Sequence, residues 1–216
     1  MRSRAVVAGI GATAFGVFEH EDAVSLAAQA LTAALQDAAL TREDVDALIV
    51  VRVPDYQQFA LRFGIDPKLA FTLQAQGRMS GVAMQLGDSL IASGAARTVA
   101  IAYGNDGRSR GMKYGGAADR YGSDDAAVWF PYGMTSPGAV HAMMFAEHSH
   151  RYGTDARALG QIAVTFRNHA LLNPNAVMRK PITLDDHQAS RFIAEPLRLL
   201  DYCLINDGGV GVVLTH

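Results

Sequence analysis

Residues 46–103 read DALIVVRVPDYQQFALRFGIDPKLAFTLQAQGRMSGVAMQLGDSLIASGAARTVAIAY. Short apolar runs rich in β-branched residues occupy 46–53, 69–73 and 98–103, and Pro54 closes the earliest of them. Between them stand a short helical pattern over Gln57–Phe63 and a longer apolar one over Ser80–Ser93 that Gly94 closes. Strands that alternate with helices at this interval predict right-handed βαβ units and a mostly parallel sheet covered on both faces. The fold class that follows is α/β.

The same alternation extends toward the N-terminus. Ala5–Ile10 is a β-branched run, and Val24–Ala39 places Leu26, Ala27, Ala30, Leu31, Ala34 and Leu35 at helical spacing. Thr41–Asp44 has a capping-box-like pattern for one further turn. Toward the C-terminus the character changes. Residues 104–135 are glycine-rich and polar with little periodicity, the composition of a long excursion. Two helices are predicted after it: Ser136–Tyr152, with Ser136 as cap and Pro137 in the opening helical position, and Asp155–Leu172, which ends at Asn173-Pro174. A polar loop leads to Glu195-Pro196, then come Leu197–Leu200, a turn at Asn206–Gly209 and an apolar strand over Val210–Thr215. A buried strand followed only by His216 predicts that a continuation, or another chain, completes the fold.

Composition narrows the function. The 216 residues are 50% hydrophobic and 19% charged, enough for a well-buried core. A net charge of −2 provides no cationic field, so neither nucleic acid nor a membrane surface is the expected partner. Every apolar run is interrupted before it could span a bilayer, and the start MRSRAVVAGIG lacks a signal-peptide pattern, which predicts a cytoplasmic protein. Cys203 is the single cysteine and cannot form an internal disulfide. The run GIGATAFG over residues 9–16 has the spacing G-x-G-x-x-x-x-G, departs from the dinucleotide fingerprint and opens no helix directly, so no nicotinamide cofactor is expected.

Three longer stretches carry a resemblance: PYGMTSPGAVHAMMFAEHSHRYGT at 131–154, FRNHALLNPNA at 166–176, and KPITLDDHQASRFIAEPLRLLDYCLINDGGVGVVLT at 180–215. With the N-terminal VVAGIGATAFG they make the chain similar to the thiolase superfamily, in particular to sterol-carrier-protein and lipid-transfer-type thiolases and bacterial steroid side-chain retro-aldolases. The resemblance implies the N-terminal half of a thiolase: a five-stranded core over residues 1–103 and 197–216 with a loop domain inserted at 104–196. It also implies an acyl-CoA substrate and no cofactor. The implied partners are a second copy or a homologous thiolase chain, paired along Leu69–Ala75, and an OB-fold, zinc-ribbon acyl-CoA-binding subunit.

The family's nucleophile is a cysteine in a C-x-S-G motif where the third strand hands over to its helix, a place where the helix dipole favours a thiolate. Here the segment reads Gly77-Arg78-Met79-Ser80-Gly81, so the nucleophile-equivalent position is Arg78, followed by Met79 and Ser80. Arginine forms no acyl-enzyme, and no neighbouring histidine in the sequence activates Ser80. The family's remaining acid/base groups belong to its C-terminal half, so no catalytic residue is assigned to this chain. Retro-aldol cleavage survives the loss of the thiol because it needs acid/base groups only. Alternatives are a non-catalytic thiolase-like subunit that binds acyl-CoA or lipid, and a Claisen-type acyltransferase.

Other candidates are weaker. Arg108, Arg110 and Lys113 lie in a glycine- and tyrosine-rich loop, where they either receive CoA phosphates or are simply solvated. Met134, Met143 and His169 are further candidates to line the CoA or acyl site, although core packing competes for Met143 and its neighbour Met144. His169, in the Asn168-His169 pair, is expected to order the loop domain by hydrogen bonds, and Cys203 to be a small buried residue. His141, His148 and His150 share one predicted helix and form a polar face; no metal site is expected.

Overall fold

A computed structural model describes residues 4–73, 79–115, 130–134 and 136–216. In chain order its elements are β1 (Val6–Ala12), α1 (Ala23–Asp37), β2 (Ala47–Val51), α2 (Tyr56–Phe63), β3 (Leu69–Leu73), α3 (Met79–Ala92), β4 (Thr98–Asn105), α4 (Pro137–Tyr152), α5 (Arg157–Leu172), α6 (Leu184–Ala189), β5 (Phe192–Ala194), β6 (Leu197–Arg198) and β7 (Gly208–Thr215). The chain divides into two compact units, residues 1–110 with 206–216, and residues 111–205.

The first unit is an α/β layer structure built on a five-stranded sheet in the order β1-β7-β4-β2-β3. The β2–β3 and β2–β4 pairings are parallel, whereas β7 runs against both β4 and β1. Four strands therefore share one direction and only β7 opposes them, the mostly parallel sheet that the alternation of elements predicts.

Side-chain alternation along the central strands makes two cores. Leu48 and Val50 of β2, with Ala100 and Ala102 of β4, meet Ala27, Leu31, Ala34 and Leu35 of α1 and Phe59 and Phe63 of α2 on one face. Ile49 and Val51, with Val99 and Ile101, meet Ala83 and Ile91 of α3 on the other. This is the period-2 strand reading of a helix-covered sheet, in which a slip of one residue would exchange the two faces. Glycines set how closely α1 approaches: a Cβ at Gly104 would stand 1.8 Å from the Ala23 carbonyl oxygen, at Gly209 2.1 Å from that of Leu26, and at Gly9 2.2 Å from that of Ala34. Gly9 and Gly11 of the run at 9–16 thus serve helix packing. The expected turn at Asn206–Gly209 is corrected: Gly208 and Gly209 already pair with Asn105 and Gly104 as the start of β7, where a Cβ at Gly209 would meet α1 and one at Gly208 would meet the Phe15 ring.

Residues 104–110 stay with the sheet although the sequence suggests a boundary at 103. β4 continues to Asn105, and the fully buried Asp207 carboxylate accepts the N–H groups of Arg108 (2.8 Å) and Ser109 (3.1 Å) on Oδ1 and of Phe18 (2.9 Å) on Oδ2.

The second unit contains α4, α5, α6 and the β5–β6 hairpin. Ser136 and Pro137 start α4 as expected, and Gly153 ends it in the left-handed conformation at φ 66°. α6 begins with a capping box in which Thr183 N–H donates to Asp186 Oδ2 (2.8 Å) and Asp186 N–H donates to Thr183 Oγ1 (3.1 Å). The hairpin, at a place where a polar loop is expected, is joined through a cis Glu195-Pro196 bond. Among the described residues no helix is long and apolar enough to cross a membrane.

Candidate functional site

In an open α/β sheet, ligands bind outside the carboxyl ends of the strands, where neighbouring strands send their connections to opposite faces. β2 and β3 meet that condition. They are parallel neighbours paired through Val51 and Leu73 at their carboxyl ends. The helix after β2, α2, packs on the Leu48/Val50 face, and the helix after β3, α3, packs on the Ile49/Val51 face. The crevice between these strand ends is the candidate site.

α3 enters this crevice N-terminus foremost, and its opening residues are Met79 and Ser80. Met79 is half-buried and packs against the α3-side core, while Ser80 is exposed and its hydroxyl makes no hydrogen bond among the described residues. Among the described residues no histidine is bonded to it. Arg78 lies outside the described residues. The only sulfhydryl, that of Cys203, belongs to the second unit.

A framework of side-chain bonds sets the edge beside this crevice. Asn105, at the end of β4, donates from Nδ2 to the Asn206 carbonyl at 2.5 Å and accepts Gly107 N–H on Oδ1 at 3.2 Å. At the opposite end of the strands, Asp46 accepts Arg97 N–H at 2.9 Å and Thr98 N–H at 3.2 Å and pairs with Lys68 at 3.1 Å. The Arg97 N–H, followed by the Lys68 and Thr98 contacts, holds its carboxyl below the usual carboxylate range against the opposing effect of burial. Asp22 caps α1 through Ser25 N–H at 2.7 Å, and the Arg62 guanidinium likewise holds its carboxyl low.

The remaining predicted residues are dispersed. Arg108 and Arg110 are exposed in the first unit, and Arg110 Nε pairs with Asp106 Oδ2 at 2.7 Å. Lys113 is exposed and Met134 half-buried in the second unit; much of the loop beyond Gly115 lies outside the described residues. Three expectations need correction. Met143 and Met144 are each 62% exposed, since α4 turns only Ala142 fully inward, so neither is core. His169 is exposed and makes no hydrogen bond among the described residues. Cys203 is exposed, with Sγ 3.1 Å from Tyr114 Oη. His141 bonds the Pro137 carbonyl and His148 bonds Thr154, and among the described residues no cluster of three metal-ligating side chains occurs.

Sequence reading misses two buried groups. Asp207 reads as part of a turn yet collects backbone N–H groups from two loops. His187 sits in an unremarkable polar stretch, yet it is 1% exposed, with Nε2 2.6 Å from Asp201 Oδ1 and Nδ1 3.1 Å from Gln188 Nε2. A Cβ at Gly160 would stand 2.9 Å from His187 Nδ1, so α5 lies directly on the imidazole. The Thr183 capping box fixes the start of the helix that carries His187, and the same spacing seen in the sequence, Thr183-x-x-Asp186, was the available signal.

Comparison with known proteins adds the following. No family model matches the chain. It is 35% identical over 226 residues, 100% of this chain and 58% of the relative, to a 17-hydroxy-3-oxo-4-pregnene-20-carboxyl-CoA lyase of Mycobacterium tuberculosis. It is 36% identical, over 97% of this chain and 56% of the relative, to a steroid side-chain-cleaving aldolase of Thermomonospora curvata. Among solved structures, an Ltp2-ChsH2(DUF35) aldolase superposes with a TM-score of 0.83 at 34% identity, over 98% of this chain and 55% of that one. A monomeric SCP2-thiolase-like protein of Mycobacterium smegmatis superposes with a TM-score of 0.78 at 18% identity, over 100% of this chain and 46% of that one, and shows the fold alone. The chain thus spans little more than half the length of these relatives.

Proposed function

From the premise that this chain is thiolase-like in fold and a homologue of steroid side-chain-cleaving aldolases, we propose that it forms the N-terminal half of a carbon–carbon lyase acting on a CoA thioester. The observation that carries the reading is the mouth of α3. Arg78 occupies the nucleophile-equivalent position, Ser80 has no base among the described residues, and the lone cysteine is in the other unit. Covalent acyl transfer lacks its nucleophile, whereas retro-aldol cleavage does not need one. In that reaction a base removes the β-hydroxyl proton and the Cα–Cβ bond breaks. Its electron pair passes into the thioester enolate, which is protonated at Cα as the ketone or aldehyde leaves. The acid/base groups belong to a complementing C-terminal half. In this reading the second unit acts as the loop domain, with Lys113, Met134, Met143 and His169 as its CoA- or acyl-facing candidates and Arg108 and Arg110 as candidates at the end of the first unit, in a cytoplasmic setting.

Two partners follow. Strand addition is expected at β3, since on the opposite edge side chains already take backbone N–H groups: Ala5 N–H, just before β1, donates to Asp88 at 3.0 Å and Ile10 N–H to Asp37 at 2.9 Å. The chain there is a second copy or a homologous thiolase chain. A DUF35-type acyl-CoA-binding subunit is the other partner, by analogy with the solved aldolase complex.

The test is a cleavage assay on a β-hydroxyacyl-CoA, with and without a complementing thiolase-like half. Carbonyl product is expected, and Ser80→Ala and Cys203→Ala should retain rates within about twofold. A covalent acyl adduct on the intact chain by mass spectrometry, or loss of cleavage in either variant, would overturn the reading. Light scattering tests the β3 pairing: a clean folded monomer contradicts it.

A further inference from the structure

We draw no further inference here: the strongest candidate, the exposed apolar face of α5 formed by Ile162, Phe166 and Leu172 in the second unit, carries nothing because nothing among the described residues shows what covers it.

Discussion

Phe59 and Phe166 both lie on amphipathic helices, yet Phe59 in the first unit is fully buried and Phe166 in the second is 73% exposed. The contrast runs through the two units. In the first, α1, α2 and α3 have a sheet to lie on, and apolar residues at helical spacing vanish into one of its two faces. In the second, Val140, Met143 and Met144 of α4 and Ile162, Phe166 and Leu172 of α5 remain exposed, and among the described residues the most deeply buried large side chain is His187. One unit is ordered by removal of apolar area from water, which is additive and tolerant of direction. The other is ordered at its centre by a polar pair, which is directional and intolerant of losing a partner.

Substitutions can break or sharpen this comparison. Phe59→Ala should destabilise the first unit by about 3–5 kcal/mol, measured by chemical denaturation, because the cavity lies against α1 and both strands' inner face. Asp201→Ala should cost about 3–5 kcal/mol through the stranded His187, but locally: amides of α6 and the β5–β6 hairpin lose hydrogen-exchange protection while those of β2 and β4 keep it. A global loss of protection would erase the distinction between the units. Asp46→Asn should cost about 1 kcal/mol near neutral pH. Since the folded Asp46 carboxyl is held low, its contribution is complete above the ordinary carboxylate range and disappears as pH falls through the folded value. The melting-temperature gap between wild type and Asp46→Asn should therefore close on acidification. Phe166→Ala should change stability by less than about 0.5 kcal/mol while lowering the fluorescence of a dye that binds exposed apolar surface.

Much of the first unit is legible along the chain. The run Ala47–Val51 is β-branched, bounded and short, and β3 falls on Leu69–Leu73 as the pattern predicts. Period and punctuation suffice there because each of these strands is marked by its own composition, and β2 and β3 are neighbours both in the chain and in the sheet. The antiparallel β7 is a different case: it arrives from the far end of the chain to lie between β1 and β4, and no local pattern states its direction. That no cysteine stands between β3 and α3 is equally legible, since it depends only on residue identity. What sequence misjudges lies in the second unit. Met143, Met144 and Cys203 look like core and are exposed; His169 looks like an organiser, and His187 is the one. Residue type predicts burial only when something is present to bury against, and among the described residues the second unit offers α4 and α5 only the short two-stranded β5–β6 sheet.

The amino-acid sequence by itself determines the α/β layering, the positions of the parallel strands and the absence of a thiol at the third strand's helix, because these follow from local periodicity and residue identity. Only the tertiary structure decides that α1 rests on glycines from three strands, that Asp207 gathers N–H groups from two loops, and that Arg52, after β2, bonds Asn105 at the end of β4. Those features join residues tens of positions apart, and their energies arise from distance and direction, which a linear pattern does not contain.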